Sequence, residues 1–581
     1  MKRTILAASI VAAFSGQALA ATYQLTELPT MEGVKHTYVV DANQNGDAIG
    51  QTRGVFKLPI DLSYLDFEDA ALTSLYDQVK REFELSDKTI TFTLDDIKNN
   101  NGIVTNADAH TFMVRYLNNQ AANAQVQKLS DGFAISFSAQ HAAEEILFDT
   151  ESTDYAGLTR SVQNYLNAIT NDGTMVGWGT APYTKTTFTN SDDKEIYQFE
   201  TPWFSRGVVI KPNGDRVILE PAETQYGGLS KAMDIAKLDN GGYLVVGQSS
   251  ISVSVSGQER YDELCKGESE SVAVCRWSRQ RSETFYNANA YSWKLDSDFN
   301  VIETKDLGLG VTRFDDEENA FVSGALAVNK NGIVVGFSPI RTTETNDNEK
   351  NGQVVAGYFK DGTFTAAPTV KRYYESGRAV DINDHNVMVG NQYREIPNNG
   401  RSTVGFYVDL DNNVEVDIQG YFLGSDVEVR SINNEGFIVG QAEVDKNTSN
   451  RRREAFIYQV GAEKITNINT LLPCKDPATG EAFRYTLAEA NKITDGNVIY
   501  GSATKTIEKR NSLGEVVYNV DGVKEFESIV VPVMLTPVAG GQVESCTAAE
   551  IEPYERQSAS WGWLSLMLLP LVGWRRLRQT H

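Results

Sequence analysis

Seven copies of one hairpin pattern, a second hairpin after each copy, and a lone strand near the N-terminus predict an all-β chain. The predicted fold is a single seven-bladed β-propeller of four-stranded blades, closed by the N-terminal strand, with a partly helical insertion near the first blade. The pattern is plainest in "RAVDINDHNVMVG", ending at Gly390, and in "VRSINNEGFIVG", ending at Gly440. The other copies end their second strands near Gly50, Gly177, Gly247, Gly336 and Gly501.

Each part of the pattern has a local cause. Alternating small or apolar residues before the turn mark a strand with one buried face. Asn-Gly, Asp-Gly and Glu-Gly at the turns supply the positive φ that a tight hairpin needs. Asn329, Asn383 and Asn433 open their turns and are placed to bond their own backbone two residues on. The closing glycine, as in Gly336 and Gly390, lets neighbouring strands approach where a side chain would clash. Each copy leads into a second hairpin, such as Ser402 to Gly420 and Arg453 to Asn469, and four strands in about fifty residues make one blade. The last copy has a third strand at Ser528 to Pro537 and no obvious fourth before Cys546, and "TYQLTELP" (Thr22 to Pro29) is the unmatched strand that completes it. Two smaller propellers or an open solenoid are the rival architectures. The pattern breaks between Asp61 and Asn164. There Tyr64 to Leu85 and Asn106 to Leu129 read as helices, and "KTITFTL" and "GFAISFSA" as strands.

The ends place the protein outside the cytoplasm. Residues 1–20 run from Lys2 and Arg3 through an apolar stretch to Ala18-Leu19-Ala20, the order of a secretory signal peptide cut between Ala20 and Ala21. The domain reading is therefore residues 1–20 as signal peptide, 21–546 as propeller with its insertion at about 61–164, 547–560 as linker, and 561–581 as a hydrophobic sorting or anchor segment. In the last segment Trp561 to Trp574 is apolar, interrupted by Pro570, too short to cross a bilayer unaided, and followed by Arg575, Arg576 and Arg578. An oxidising compartment suits the four cysteines. Proximity pairs Cys265 with Cys275 and leaves Cys474 for Cys546, one of three possible connectivities. With 77 acidic against 53 basic residues and a net charge of -24, the chain lacks the basic stripe that a nucleic acid partner requires.

The repeats resemble HAF-type repeats, and the tail resembles the GlyGly-CTERM sorting signal. Ser558-Ala559-Ser560 stands where that signal has its glycines, followed by the apolar stretch and Arg575-Arg576. Together with the export segment they resemble an uncharacterised domain-of-unknown-function family of secreted Gram-negative proteins. The resemblance implies export through the inner membrane and residence outside the cell, at its surface, in the periplasm or on a membrane. It also implies membrane contact through the tail and a rhomboid-type protease that processes it, and it carries no catalytic residues to transfer.

Signatures of chemistry are few. H-E-x-x-H, G-x-S-x-G and P-loop patterns are absent, and "GLG" at Gly308 to Gly310 lacks a third glycine. No two of His36, His110, His141, His385 and His581 share a metal-ligand spacing. Asp41 to Asp47 opens like an EF-hand loop, but Thr52 stands where the closing Glu belongs, and the string is also the first hairpin turn. Asp315 to Asn319 reads as a hard-cation loop or as a solvated acidic one. No catalytic or cofactor-binding residue is assigned, no cofactor is expected, and metal binding is left open. The function expected is a non-enzymatic binding or scaffold propeller for a protein or polysaccharide. An extracellular hydrolase with carboxylates on the axis and a structural envelope component are the alternatives.

Overall fold

The computed structural model describes residues 22–546 apart from 101–102, 104, 139, 283, 314–316, 319, 342–352, 368–373, 397–399, 447–450 and 478. The expected signal peptide with Ala20 and Ala21, the expected sorting tail with Ser558, Ala559, Ser560, Arg575 and Arg576, and Asp315, Asp316 and Asn319 of the acidic loop lie outside the described residues. No helix among the described residues is long and apolar enough to cross a membrane.

Seven four-stranded antiparallel sheets form the ring. Their inner strands are Val34–Ala42, Asn164–Ile169, Ser230–Lys237, Gly324–Val328, Tyr374–Ile382, Val427–Ile432 and Thr486–Ile493, for blades 1 to 7 in chain order. Blade 7 takes its outer strand from the other end of the chain. Thr22–Glu27 pairs antiparallel with Phe526–Val538, with Thr22 opposite Val538 and Glu27 opposite Val533. The ring is therefore zipped by the six residues Thr22–Glu27.

The apolar core is divided among the seams. Seven clusters of buried side chains each join two adjacent blades: for example Val439 and Ile457 with Leu487 and Val533 between blades 6 and 7, and Val39 and Ile135 with Tyr500 between 7 and 1. A blade cannot bury both faces alone, so stability comes from nearest-neighbour packing, as in a repeat array bent into a circle. The closing glycines act as the sequence suggests. A Cβ on Gly336 would sit 2.0 Å from the carbonyl oxygen of Gly324, and one on Gly390 would sit 2.4 Å from that of Arg378.

The 7–1 seam carries a titratable group. His36 Nδ1 accepts the N–H of Val530 at 3.1 Å, which requires the neutral ring. Burial lowers its pKa to about 4, with Lys35 adding to the fall and Glu527 opposing it. The folded value is depressed, so this contribution is whole above about 6.5 and is lost as pH falls toward 4. It amounts to at most about 3 kcal/mol. Thermal unfolding from pH 7 to 4 should show that loss in the wild type and a flatter profile in His36→Asn, whose amide oxygen can keep the bond; equal slopes would remove His36 from the account.

The insertion departs in detail from expectation. It leaves blade 1 after its second strand and returns to supply the third, Ala134–Phe137, and the fourth, Ala142–Glu144. The range 61–164 thus included half of blade 1. The first helix, α1 (Ala70–Leu85), starts after Tyr64 because Asp69 caps it, accepting from the N–H groups of Ala71 and Leu72. "KTITFTL" is not a strand: Thr93 and Asp96 form a reciprocal capping pair that starts α2 (Leu94–Asn100), and Phe92 is buried in the insertion's own core. Helix α3 (Ala107–Asn119) ends well before Leu129. The stretch around Cys265 and Cys275, read as a loop, is a helical hairpin of α4 (Val255–Leu264) and α5 (Val272–Gln280), capped by Ser254 and Ser271. Disulfides join Cys265 to Cys275 and Cys474 to Cys546.

Candidate functional site

Two features stand out: a ring of charged groups on the propeller axis and a layer of inserts over one face. Every inner strand carries a β-bulge at the same place, and the residue after it falls at one level of the axis. From blade 1 to blade 7 these residues are Asp41, Ala168, Asp234, Ala327, Asp381, Ser431 and Lys492. Acids stand in blades 1, 3 and 5, small residues in 2, 4 and 6, and the odd seventh position holds the lysine.

The three carboxyls bond alike. Asp41 Oδ2 accepts the N–H of Ile169 in blade 2 at 2.9 Å. Asp234 Oδ2 accepts that of Val328 in blade 4 at 2.7 Å, and Asp381 Oδ2 that of Ile432 in blade 6 at 2.9 Å. The second oxygens of Asp234 and Asp381 each take the N–H of their own next residue at 2.8 Å. Asp41 instead turns its Oδ1 to Lys492 Nζ, 3.0 Å away, tying blade 7 to blade 1. The Lys492 side chain keeps 31% of its surface accessible, so the axis admits water.

The groups perturb one another. Burial pushes the Asp234 carboxyl up to about 7; Lys492 opposes the rise and Asp381 adds to it. Burial also raises Asp381, against the pull of Lys492. For Lys492 burial works against the charge, but Asp41, Asp381 and Asp234 together outweigh it and hold the ammonium protonated.

A second ring of contacts lies at the hairpin turns. Asn383 Oδ1 accepts from His385 N and Val387 N, which includes the bond two residues on. Asn329 and Asn433 bond four residues on, to Ile333 N and Phe437 N. Their Nδ2 groups cross the seams: Asn329 to the carbonyl of Asn383, Asn383 to that of Asn433, and Asn433 to that of Thr494. Asn43 reaches Thr170 in the same way and also bonds Asp47, so the calcium-like string at Asp41 to Asp47 is engaged in turn and seam. No group of three or more His, Cys, Asp or Glu among the described residues is placed to hold a metal. Of the histidines, His36 sits in a seam and His110 is buried in the insertion with Nε2 on the carbonyl of Leu58. His385 lies in a turn and His141 is exposed, while His581 is outside the described residues.

Sequence reasoning singled out Asp41 only for calcium and missed Asp234, Asp381 and Lys492. A signal existed. Counting back nine from the closing glycine reaches this column in six copies, as from Gly50 to Asp41 and from Gly501 to Lys492, and thirteen reaches it in the copy ending at Gly247.

The inserts share one face because all four lie between the second and third strands of their blades. They are the helical insertion of blade 1, the hairpin Thr184–Thr189/Glu195–Glu200 of blade 2, α4 and α5 of blade 3, and a ribbon at 509–525 in blade 7. Neighbours touch in the order 7, 1, 2, 3. Ser512 Oγ donates to the carbonyl of Ala107 at 2.9 Å, Lys185 pairs with Asp61 at 2.6 Å, and Ser271 Oγ bonds Glu200 at 2.5 Å. Lys128 lies over the Trp277 ring at 5.2 Å. The ribbon tip is exposed and apolar: Val520 is 99% accessible, Val523 58% and Tyr518 55%, with Phe526, 54% accessible, at the start of the strand that follows.

A family model described as "Protein of unknown function (DUF3466)" matches residues 1–577. A comparison with curated proteins finds no match. Among solved structures, the β-propeller domain of the trilobed protease from Pyrococcus furiosus is 10% identical over 69% of this chain and 90% of that one, with a TM-score of 0.29. A Trypanosoma rangeli sialidase in complex with sialic acid is 12% identical over 68% of this chain and 62% of that one, with a TM-score of 0.27. A putative 6-phosphogluconolactonase from Bacteroides uniformis is 10% identical over 70% and 95%, with a TM-score of 0.25.

Proposed function

We propose, for a chain that belongs to the DUF3466 family of unknown function, that it is an exported, non-enzymatic binding propeller that engages a protein partner through its insert face. The observation that carries this reading is the blade-7 ribbon. A protein surface seldom gathers large apolar side chains on one projecting ribbon without a use for them, and Tyr518, Val520 and Val523 are all more than half exposed, as is Phe526 at the start of the strand that follows. The layer of inserts beneath holds the ribbon in place through Lys57 N and Ser512 Oγ, so its presentation costs little ordering on binding. The tail from Trp561 to Arg576 would tether the protein until it is processed.

The test is site-directed photocrosslinking in the native envelope. A photoreactive residue at Val520 should give a discrete adduct, and one at Ile218, an exposed position on an outer strand of blade 2, should not. The adduct should vanish in a Tyr518→Ser, Val523→Ser double variant that melts like the wild type. No adduct at any ribbon position would sink the reading. Mass spectrometry of the released protein addresses the tail, where retained Arg575-Arg576 would count against processing.

The hydrolase alternative draws on the gathering of Asp41, Asp234 and Asp381 at the ring's centre. Their oxygens are, however, engaged by backbone N–H groups or by Lys492. Turnover of an extracellular polysaccharide that disappears in Asp234→Asn would reverse the preference.

A further inference from the structure

The axial ring has an imbalance. Seven equivalent positions hold three acids and one base, and the base is committed to one acid, Lys492 to Asp41. The ring is neutral only when Asp234 and Asp381 carry protons. We propose that it is a proton-operated lock on the propeller: with those two carboxyls protonated the axis is charge-balanced, and their ionisation places two uncompensated negative charges where the inner strands converge and loosens them.

The geometry supports a lock as opposed to an ornament of the channel. Each acid reaches from its own blade to the backbone of the next, Asp234 from blade 3 to 4 and Asp381 from 5 to 6. Repulsion between the carboxylates therefore acts on the seams directly. The turn-level asparagine clamps described above join 1 to 2, 4 to 5, 5 to 6 and 6 to 7. Among the described residues none of those clamps joins 2 to 3, 3 to 4 or 7 to 1. At 3 to 4 the inner strands are joined by Asp234, and at 7 to 1 Lys492 with Asp41 acts beside Asn491 Nδ2, which donates to the carbonyl of Val39 at 2.8 Å.

Few other charges face the group. On the insert side, Lys231 and Arg378 stand three residues before Asp234 and Asp381 on the same strands and lie over the rings of Trp178 and Phe337 at 4.3 and 4.6 Å, while Arg430 pairs with Glu428 and Glu489 at 3.0 and 4.0 Å. On the turn side, Lys237 is engaged by Asp172 at 2.6 Å and Lys330 by Asp384 at 3.2 Å. The small residues at the level itself, Ala168, Ala327 and Ser431, contribute no charge. Among the described residues no countercharge besides Lys492 stands at the level.

The sign follows from linkage. Asp234 is raised to about 7 in the folded protein against about 3.9 in an unfolded chain. Its contribution is whole below about 4, falls as the unfolded state ionises first, and is gone once pH passes the folded value. Asp381 shifts in the same direction. His36 acts oppositely below about 6.5, so the measurement is made on a His36→Asn background. On that background Tm should fall by roughly 5 °C between pH 5.5 and 8.5, and an Asp234→Asn, Asp381→Asn double variant should lose less than half as much. Over the same range, hydrogen exchange at the amides of Val328 and Ile432 should quicken in the protein with both acids. Equal pH slopes in the two proteins would overturn the proposal. Should the double variant fail to fold, infrared spectra of the parent decide. A protonated-carboxyl C=O band present at pH 6 and lost by pH 9 is expected, and its absence at pH 6 refutes the lock.

Discussion

Lys492→Met should lower the unfolding free energy by about 3 kcal/mol, among the largest effects of any single side chain in this protein. The reason is what remains. Among the described residues Lys492 is the only cation at a level holding Asp41, Asp234 and Asp381, and its Nζ lies 3.0 Å from Asp41. Without it Asp41 is an unpaired carboxylate inside the ring, and removing one partner of an inward ion pair costs about 3–5 kcal/mol in dry interiors. The figure belongs at the low end because the Lys492 side chain is 31% accessible and water can reach the axis. A Lys492→Met, Asp41→Asn double variant should recover half or more of the loss, since no orphan charge is left. Urea unfolding of the four proteins closes the cycle. If Lys492→Met were as stable as the wild type, or the double variant no better than the single, the axial pair would be incidental.

Removing the clasp strand should be costlier still. A chain beginning at Leu28 leaves the outer edge of Phe526–Val538 unpaired along six residues and exposes the blade 6–7 cluster into which Tyr23, 2% accessible, is packed. It also removes Glu27, which bonds Lys505 and the Tyr485 hydroxyl. An open ring with a free sheet edge invites association edge to edge, so the expected result is aggregation or rapid proteolysis instead of a folded monomer. A gentler variant keeps the question answerable. Tyr23→Ala should cost about 3 kcal/mol through lost burial and the cavity left behind. The Cys474–Cys546 disulfide works at the same place, since Leu472 beside it packs in the cluster with Tyr23. It closes a loop with a sequence separation of 72, worth about 4 kcal/mol in the chain-entropy view. Reduction and Tyr23→Ala together should therefore drop Tm by more than either alone. A truncated chain that stays monomeric, with native circular dichroism and Tm, would show that the ring closes without its clasp.

The repeat structure was legible because each of its signals is local. Gly336 and Gly390 mark a close approach between strands that follow each other directly, and the hairpin turns state their own φ requirements. Counting strands against copies also exposed the missing fourth strand of blade 7 and pointed to Thr22 to Pro29, of which Thr22–Glu27 forms the strand. Helices inside inserts were harder. α4 and α5 are short, cut by the Cys265–Cys275 loop, and set by serine caps whose signal is weak beside the surrounding polarity. In "KTITFTL" strand-like alternation lost to a Thr93–Asp96 capping pair and to packing against the insertion's own core.

By itself, then, the order of residues determined the blade count, the alternating faces and the means of closure, because hairpin patterning and turn chemistry act between neighbours in the chain. Only the tertiary structure decided that Asp41, Asp234, Asp381 and Lys492 share one level, and that four separate inserts make one face. Those groups are far apart in sequence. Their charges matter to one another only after seven seams have closed and brought the bulged inner strands around a common axis, where burial and proximity set three acids against one base.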